Sequence, residues 1–208
     1  MATRAMWTYA DYAALPEDGR RYQLYEGELV VTPAPGTRHQ GIIVNLTVLL
    51  HPHVKALGLG QVLVAPTDCI LSDVTVLQPD LVFIATADLA RMSARAIEGA
   101  PTLAVEVLSP STAGRDQGRE RGLHARHGVP WYWIVDPDRR VIEAWRGSRA
   151  PGTSLPGVSP GQRLAACPRS TTLSSILPRS GPEASKGPAS VTMGAVCRPA
   201  PPMTGEGS

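Results

Sequence analysis

The sequence predicts an α/β domain over residues 7–147, a mixed central sheet flanked by helices, followed by a tail that cannot form a core. Three observations predict it. Short β-branched and aromatic runs interleave with stretches of helical period. Their order is helix, hairpin, helix, several strands, helix and two strands, which suits a mixed sheet with helices on its faces. Composition then breaks near Gly147: residues 148–208 hold 10 Pro, 8 Gly and 10 Ser among 61 residues, and no aromatic. Such a segment cannot bury enough apolar surface to offset its chain entropy, so disorder is expected there. A frameshifted reading frame would leave the same signature.

The elements follow in order. Thr8 is placed to cap a short helix, Tyr9 to Leu15, closed by Pro16 and Gly19. Arg21 to Tyr25 and Glu28 to Thr32 flank Glu26-Gly27 and read as a hairpin. Gly41 to Leu57 reads as a helix with Ile42, Leu46, Leu49 and Leu50 on one face, kinked at Pro52. Gln61 to Ala65, Cys69 to Ser72, Leu81 to Ile84 and Leu103 to Leu108 read as strands. Arg115 to His127 is a helix ended by Gly128 and Pro130. Trp131 to Val135 and Val141 to Trp145 are strands joined by a turn at Asp136-Pro137-Asp138-Arg139.

Charge and composition narrow the function classes. The chain has 20 basic and 18 acidic residues; six basic and two acidic ones follow Gly147, leaving 14 and 16 before it. The domain is therefore not basic as a whole, and contact with nucleic acid must rest on a local patch. The longest apolar-rich run, Ile42 to Leu50, is broken by Asn45 and Thr47 and is too short to span a bilayer. No secretory leader is read at the N-terminus. Cys69, Cys167 and Cys197 show neither metal spacing nor a paired framework, so a reduced, cytoplasmic protein is expected.

Two carboxylates sit where a carboxylate is costly. Asp80 opens the run PDLVFI, and Glu106 interrupts LAVEVL. A buried carboxylate without a partner costs several kcal/mol. Strand alternation puts Ala104, Glu106 and Leu108 on one side and Leu103, Val105 and Val107 on the other. Asp80 at the mouth of a neighbouring strand could meet Glu106. Two carboxylates that close repel unless a cation lies between them, and a hard divalent ion suits oxygen ligands. Each residue also has a plainer reading: a strand-start cap for Asp80, and for Glu106 an ion pair with an arginine of the next helix.

The segments YQLYEGELVVTPAPGTRHQ, QPDLVFI, LAVEVLSPST and GVPWYWIVDPDRRVIEAW, in that order, resemble the Uma-two family of restriction endonucleases, in the PD-(D/E)xK nuclease superfamily. The resemblance covers nearly all of residues 7–147. It implies a restriction-endonuclease-like fold and an Mg²⁺- or Mn²⁺-dependent endonuclease acting on DNA. Asp80 and Glu106 would be the metal-binding carboxylates, with the main-chain carbonyl of Val107 completing the shell. Glu28 and His39 would be accessory polar residues beside the site. Related nucleases commonly act as dimers, so a homodimer is a further expectation.

The sequence also departs from the family pattern. The superfamily lysine would lie at Leu108. The family's own pattern, Asp, three residues, Lys, three residues, Tyr, falls on Asp116, Glu120 and His124. These form one helical row, so Glu120 faces where the lysine should be, with its charge reversed. Gln23 stands where the family usually has Glu. A catalytically degenerate nuclease fold that binds nucleic acid or a partner without cleavage is the alternative reading.

The remaining polar and aromatic residues have structural readings. Arg115, Arg119 and Arg126 share a helix face and could meet a phosphate backbone, or simply be solvated. Trp131 and Trp133 read as a packed strand, and His51 and His53 as surface residues. Ser109 reads as a strand-end or cap residue, since no paired base accompanies it.

Overall fold

The structure, a computed structural model, describes residues 6–109, 116–147 and 163–165. Arg115 and nearly all of the expected tail lie outside these residues. The first helix, α1 (Tyr9–Ala13), starts with a capping box: Thr8 Oγ1 accepts from the Asp11 N–H, and Asp11 accepts from the Thr8 N–H. Strands β1 (Arg21–Tyr25) and β2 (Glu28–Thr32) pair antiparallel with Tyr25 opposite Glu28. Glu26 and Gly27 turn the hairpin with φ of 51° and 81°, the sign a two-residue turn needs to match strand twist.

Helix α2 (Thr37–Ala56) begins a turn earlier than the periodicity suggests and runs through Pro52. Pro52 and Val48, whose carbonyl would have met the missing N–H, are both exposed, so water can take the unmet acceptor. Four strands follow: β3 (Gly60–Val64), β4 (Asp68–Ser72), β5 (Thr75–Leu77) and β6 (Leu81–Ala85). A 3₁₀ turn (Thr86–Arg91), β7 (Ala96–Glu98) and β8 (Leu103–Val107) come next. The third helical segment is π-helical over Asp116–Glu120, then α-helical as α3 (Arg121–Arg126). The hairpin β9 (Trp131–Asp136) and β10 (Val141–Arg146) turns through Asp136, whose Oδ1 accepts from the N–H groups of Asp138 and Arg139. Strand β11 (Arg163–Ala165) pairs with β10.

The strands form two sheets where one was expected. The larger has the order β11-β10-β9-β8-β6-β3, and the smaller β2-β1-β5-β4-β7. The second was hidden because β5 and β7 are three residues each, too short to show a period. Strands β8 and β9 are parallel neighbours at the centre of the larger sheet. Helix α2 covers one face of that sheet: Ile42, Ile43 and Leu46 pack with Leu81, Leu103, Val105 and Val107. On the other face Val82 and Ile84 meet Cys69 and Ile97 of the smaller sheet. Helix α3 packs against the smaller sheet through Leu123 on Tyr25 and Leu77. No helix among the described residues is long and apolar enough to cross a membrane.

Gly60 fixes how β3 enters the larger sheet. Its φ is 146°, and a Cβ there would lie 1.9 Å from the Ile84 carbonyl oxygen on the paired strand. Gly60→Ala is expected to lower stability by roughly 2–4 kcal/mol, read from urea unfolding midpoints.

Candidate active site

The larger sheet brings the two carboxylates together by register. Strand β8 alternates as expected, with Leu103, Val105 and Val107 in the core under α2, and Ala104 and Leu108 packed with Tyr132 and Ile134 on the other face. Glu106 belongs to the second face. Strands β6 and β8 are antiparallel with Leu81 opposite Val105 and Val82 opposite Ala104. One further step along that register sets Asp80 across from Glu106. Both line one cleft, formed where β5 and β8 end and where β6 and α2 begin.

Asp80 is 4% exposed. Its Oδ2 accepts from the Val107 N–H at 2.9 Å and lies 2.9 Å from His39 Nε2. Two donors on one oxygen orient the carboxylate and tie β6 to β8, so Asp80 has a structural role as well. Its Oδ1 has no hydrogen bond among the described residues; Arg21 NH1 stands 3.8 Å away. The Leu108 N–H donates to the Val135 carbonyl, so the backbone at 108 pairs towards β9. Val107 points the other way, and a strand residue's N–H and C=O lie on the same edge, so the Val107 carbonyl faces the Asp80 side.

Glu120 also reaches the cleft, 5% exposed, with the Tyr25 hydroxyl donating to its Oε1. The helical row therefore delivers an acid to the place expected for it. One turn further on, His124 is buried and stacked on Tyr132, ring centroids 4.7 Å apart. Neither of its ring nitrogens has a hydrogen-bond partner among the described residues. Gln23, 5% exposed, is pinned: its Oε1 accepts from the Gln78 N–H at 2.8 Å and its Nε2 donates to Thr32 Oγ1. Cys69 is buried, and desolvation, followed by the charges of Asp68 and Glu106, pushes its thiol up to about 12, so no thiolate nucleophile forms there.

Asp80, Glu106, Val107 and His39 thus share one cleft, and Ser109 lines it too. Glu28 does not line it. It sits at the turn end of the hairpin, where its carboxylate pairs with Arg119 at 2.9 Å. Arg119 in turn lies over the Tyr25 ring, and Arg126 pairs with Glu26 at 2.8 Å, so both arginines are ion-paired with the hairpin while staying partly exposed. Trp131 and Trp133 pack on the α2 side of the sheet, and His51 and His53 are exposed. The residue that sequence reasoning missed is Arg21. Its signal was the alternation of Arg21, Gln23 and Tyr25 on one face of β1, all three of which line the cleft.

The donor set suits a hard cation in kind: two carboxylates and a main-chain carbonyl, all oxygen. Asp80 Oδ1 is the oxygen that its hydrogen bonds leave over. No group of three or more His, Cys, Asp or Glu side chains among the described residues is arranged to hold a metal; a site here would join the two carboxylates to the Val107 carbonyl.

Comparison with known proteins bears on the fold and the family. No curated protein matches the chain. A crystal structure of a protein from Anabaena variabilis ATCC 29413, described as a putative nuclease belonging to DUF820, is similar with a TM-score of 0.59 and 21% identity, over 68% of this chain and 80% of that one. At that identity the likeness speaks for the fold. A family model described as "Putative restriction endonuclease" matches residues 9–173, a span that holds both carboxylates, the hairpin and all three helices. The chain therefore belongs to the Uma2 family.

Proposed function

We propose that the chain is a divalent-cation-dependent endonuclease that hydrolyses phosphodiester bonds in DNA, with Mg²⁺ or Mn²⁺ held by Asp80, Glu106 and the Val107 carbonyl. The observation that carries the reading is the register that sets Asp80 across from Glu106 in a cleft that His39 also lines. A cation there would supply Lewis-acid polarisation of a phosphoryl oxygen and a more acidic water. The chain's own residues do the rest. His39 and the Val107 N–H hold Asp80 in a single orientation through Oδ2. Glu106 adds the second carboxylate from the strand at the sheet's centre. Val82 and Ala104, the next residues on the same face, are fully buried, so the sheet beside the pair is dry on that side.

Calorimetric titration with Mn²⁺ tests the site directly. Wild type is expected to bind with a stoichiometry of about one, and Glu106→Ala to lose at least tenfold in affinity, since one of two charged ligands is gone. Equal affinities for the two proteins would exclude this ligand set.

Glu120 favours a second reading, a degenerate relative that binds nucleic acid or a partner without cutting it. An acid in the position expected for lysine adds negative charge where negative charge develops on phosphate. Under that reading wild type shows no metal-dependent cleavage of plasmid, and Glu120→Lys gains it. Cleavage by wild type that Glu120→Lys does not raise would remove the support for degeneracy.

A further inference from the structure

This inference rests on reading the cleft as a phosphodiester site, and it identifies the group that holds the phosphate. Three carboxylates line the cleft: Asp80, Glu106 and Glu120. A phosphate entering it meets strong repulsion unless a cation compensates. Among the described residues that line the cleft, Arg21 is the one lysine or arginine.

Arg21 is built in, with its side chain 18% exposed. Its Nε donates to Gln78 Oε1 at 3.4 Å and its NH2 to the Gln78 carbonyl at 2.9 Å. Gln78 is itself fixed, since its Nε2 donates to Asp68 Oδ1 at 2.8 Å and to the Tyr12 hydroxyl at 3.2 Å. Two of the three guanidinium nitrogens are thereby anchored to one residue. The third, NH1, carries two N–H groups and has no hydrogen bond among the described residues; Asp80 Oδ1, at 3.8 Å, is beyond hydrogen-bond reach. A rigid, largely desolvated guanidinium whose NH1 is held only by a long ion pair, beside the carboxylate that would carry the cation, has the form of a phosphate clamp.

We infer that Arg21 NH1 binds a non-bridging oxygen of the phosphodiester in this cleft and supplies the positive charge that the position of Glu120 does not. The guanidinium stays protonated, so its part is electrostatic and the proton of the attacking water goes elsewhere.

The test measures binding without turnover. Wild type and Arg21→Gln are titrated against a short fluorescein-labelled DNA duplex by anisotropy, in Ca²⁺, over a series of NaCl concentrations. Loss of one phosphate contact is expected to flatten the dependence of log Kd on log[salt] by about 0.9 and to weaken binding several-fold at low salt. Arg21→Lys keeps the charge and is expected to keep the wild-type slope. Arg21→Met, which keeps the apolar stem, serves with the same expectation should the glutamine variant not fold. Mn²⁺ calorimetry is a second readout: taking a cation away from Asp80 is expected to leave Mn²⁺ affinity unchanged or higher. An unaltered salt slope in the folded variants overturns the proposal, as does loss of Mn²⁺ binding, which would make Arg21 a prop for the carboxylates alone. If wild type cleaves plasmid while the slope ignores Arg21, the nuclease reading stands and this assignment falls. If the slope flattens in a protein that never cleaves, the phosphate contact stands and the nuclease reading falls.

Discussion

Asp80→Ala is expected to lower Mg²⁺- or Mn²⁺-dependent plasmid cleavage by at least about 10³-fold, to background. The magnitude follows from the proposed chemistry: the cation's contribution is several kcal/mol of transition-state stabilisation, and each 1.36 kcal/mol is tenfold in rate. The substitution also strips the acceptor from His39 Nε2 and the Val107 N–H, which leaves a buried amide unpaired at a cost of about 1–3 kcal/mol. Asp80→Asn separates the two effects. Its carbonyl oxygen can still accept from Val107 while its charge is gone, so stability is expected to recover more than activity. Plasmid nicking assays run beside thermal unfolding of all three proteins check this. Cleavage that persists in Asp80→Ala would rule out the assignment of the metal site.

The second large effect concerns acid lability. Burial, with a smaller contribution from the nearby His127, holds the His124 imidazole down to about 3, against 6.5 for the free side chain. Between those values the unfolded chain binds a proton that the folded chain refuses, so stability rises with pH through the window and is fully present above about 6.5. At pH 5 this residue alone is expected to cost about 2 kcal/mol relative to pH 8. His127 is depressed in the same direction by partial burial and Arg126, and carboxylates add their own acid sensitivity, so the variant carries the test. His124→Phe keeps a ring to stack on Tyr132 and removes two nitrogens that have no partner among the described residues. Urea unfolding at pH 5 and pH 8 is expected to show the gap between the two pH values shrink by about that amount in His124→Phe. A gap equal to the wild type's would mean that His124 is protonated in the folded protein.

These outcomes show which parts of the molecule could be read from residues alone. The two-residue alternation in LAVEVL was enough to put Glu106 opposite the helix-packed face, because a strand side chain has only two directions to choose between. The Glu26-Gly27 pair marked a hairpin whose two strands the structure keeps with the same bounds. Helical spacing carried Glu120 into the cleft across a π-helical turn, because Tyr25 holds the segment at two points, through Glu120 and through Leu123. What stayed hidden was set by long-range pairing. Strand β5 is three buried residues whose place between β1 and β4 no local pattern encodes. Glu28 looked like a site residue from its motif, yet the hairpin carries it to the turn end and Arg119 claims it. Arg21 was passed over because nothing about an arginine at a strand start shows that Gln78, far along the chain, will grip its fork.

Strand β11 matters beyond its three residues. It occupies the outer hydrogen-bonding edge of β10, so the larger sheet does not end where the low-complexity composition begins at Gly147. A version of the protein shortened to that compositional boundary would leave β10 with an open row of amides and carbonyls beside the half-buried Trp145. Such a flank recruits further strands, from a neighbouring copy as readily as from anywhere else, and the trimmed protein is expected to self-associate more readily than the full chain.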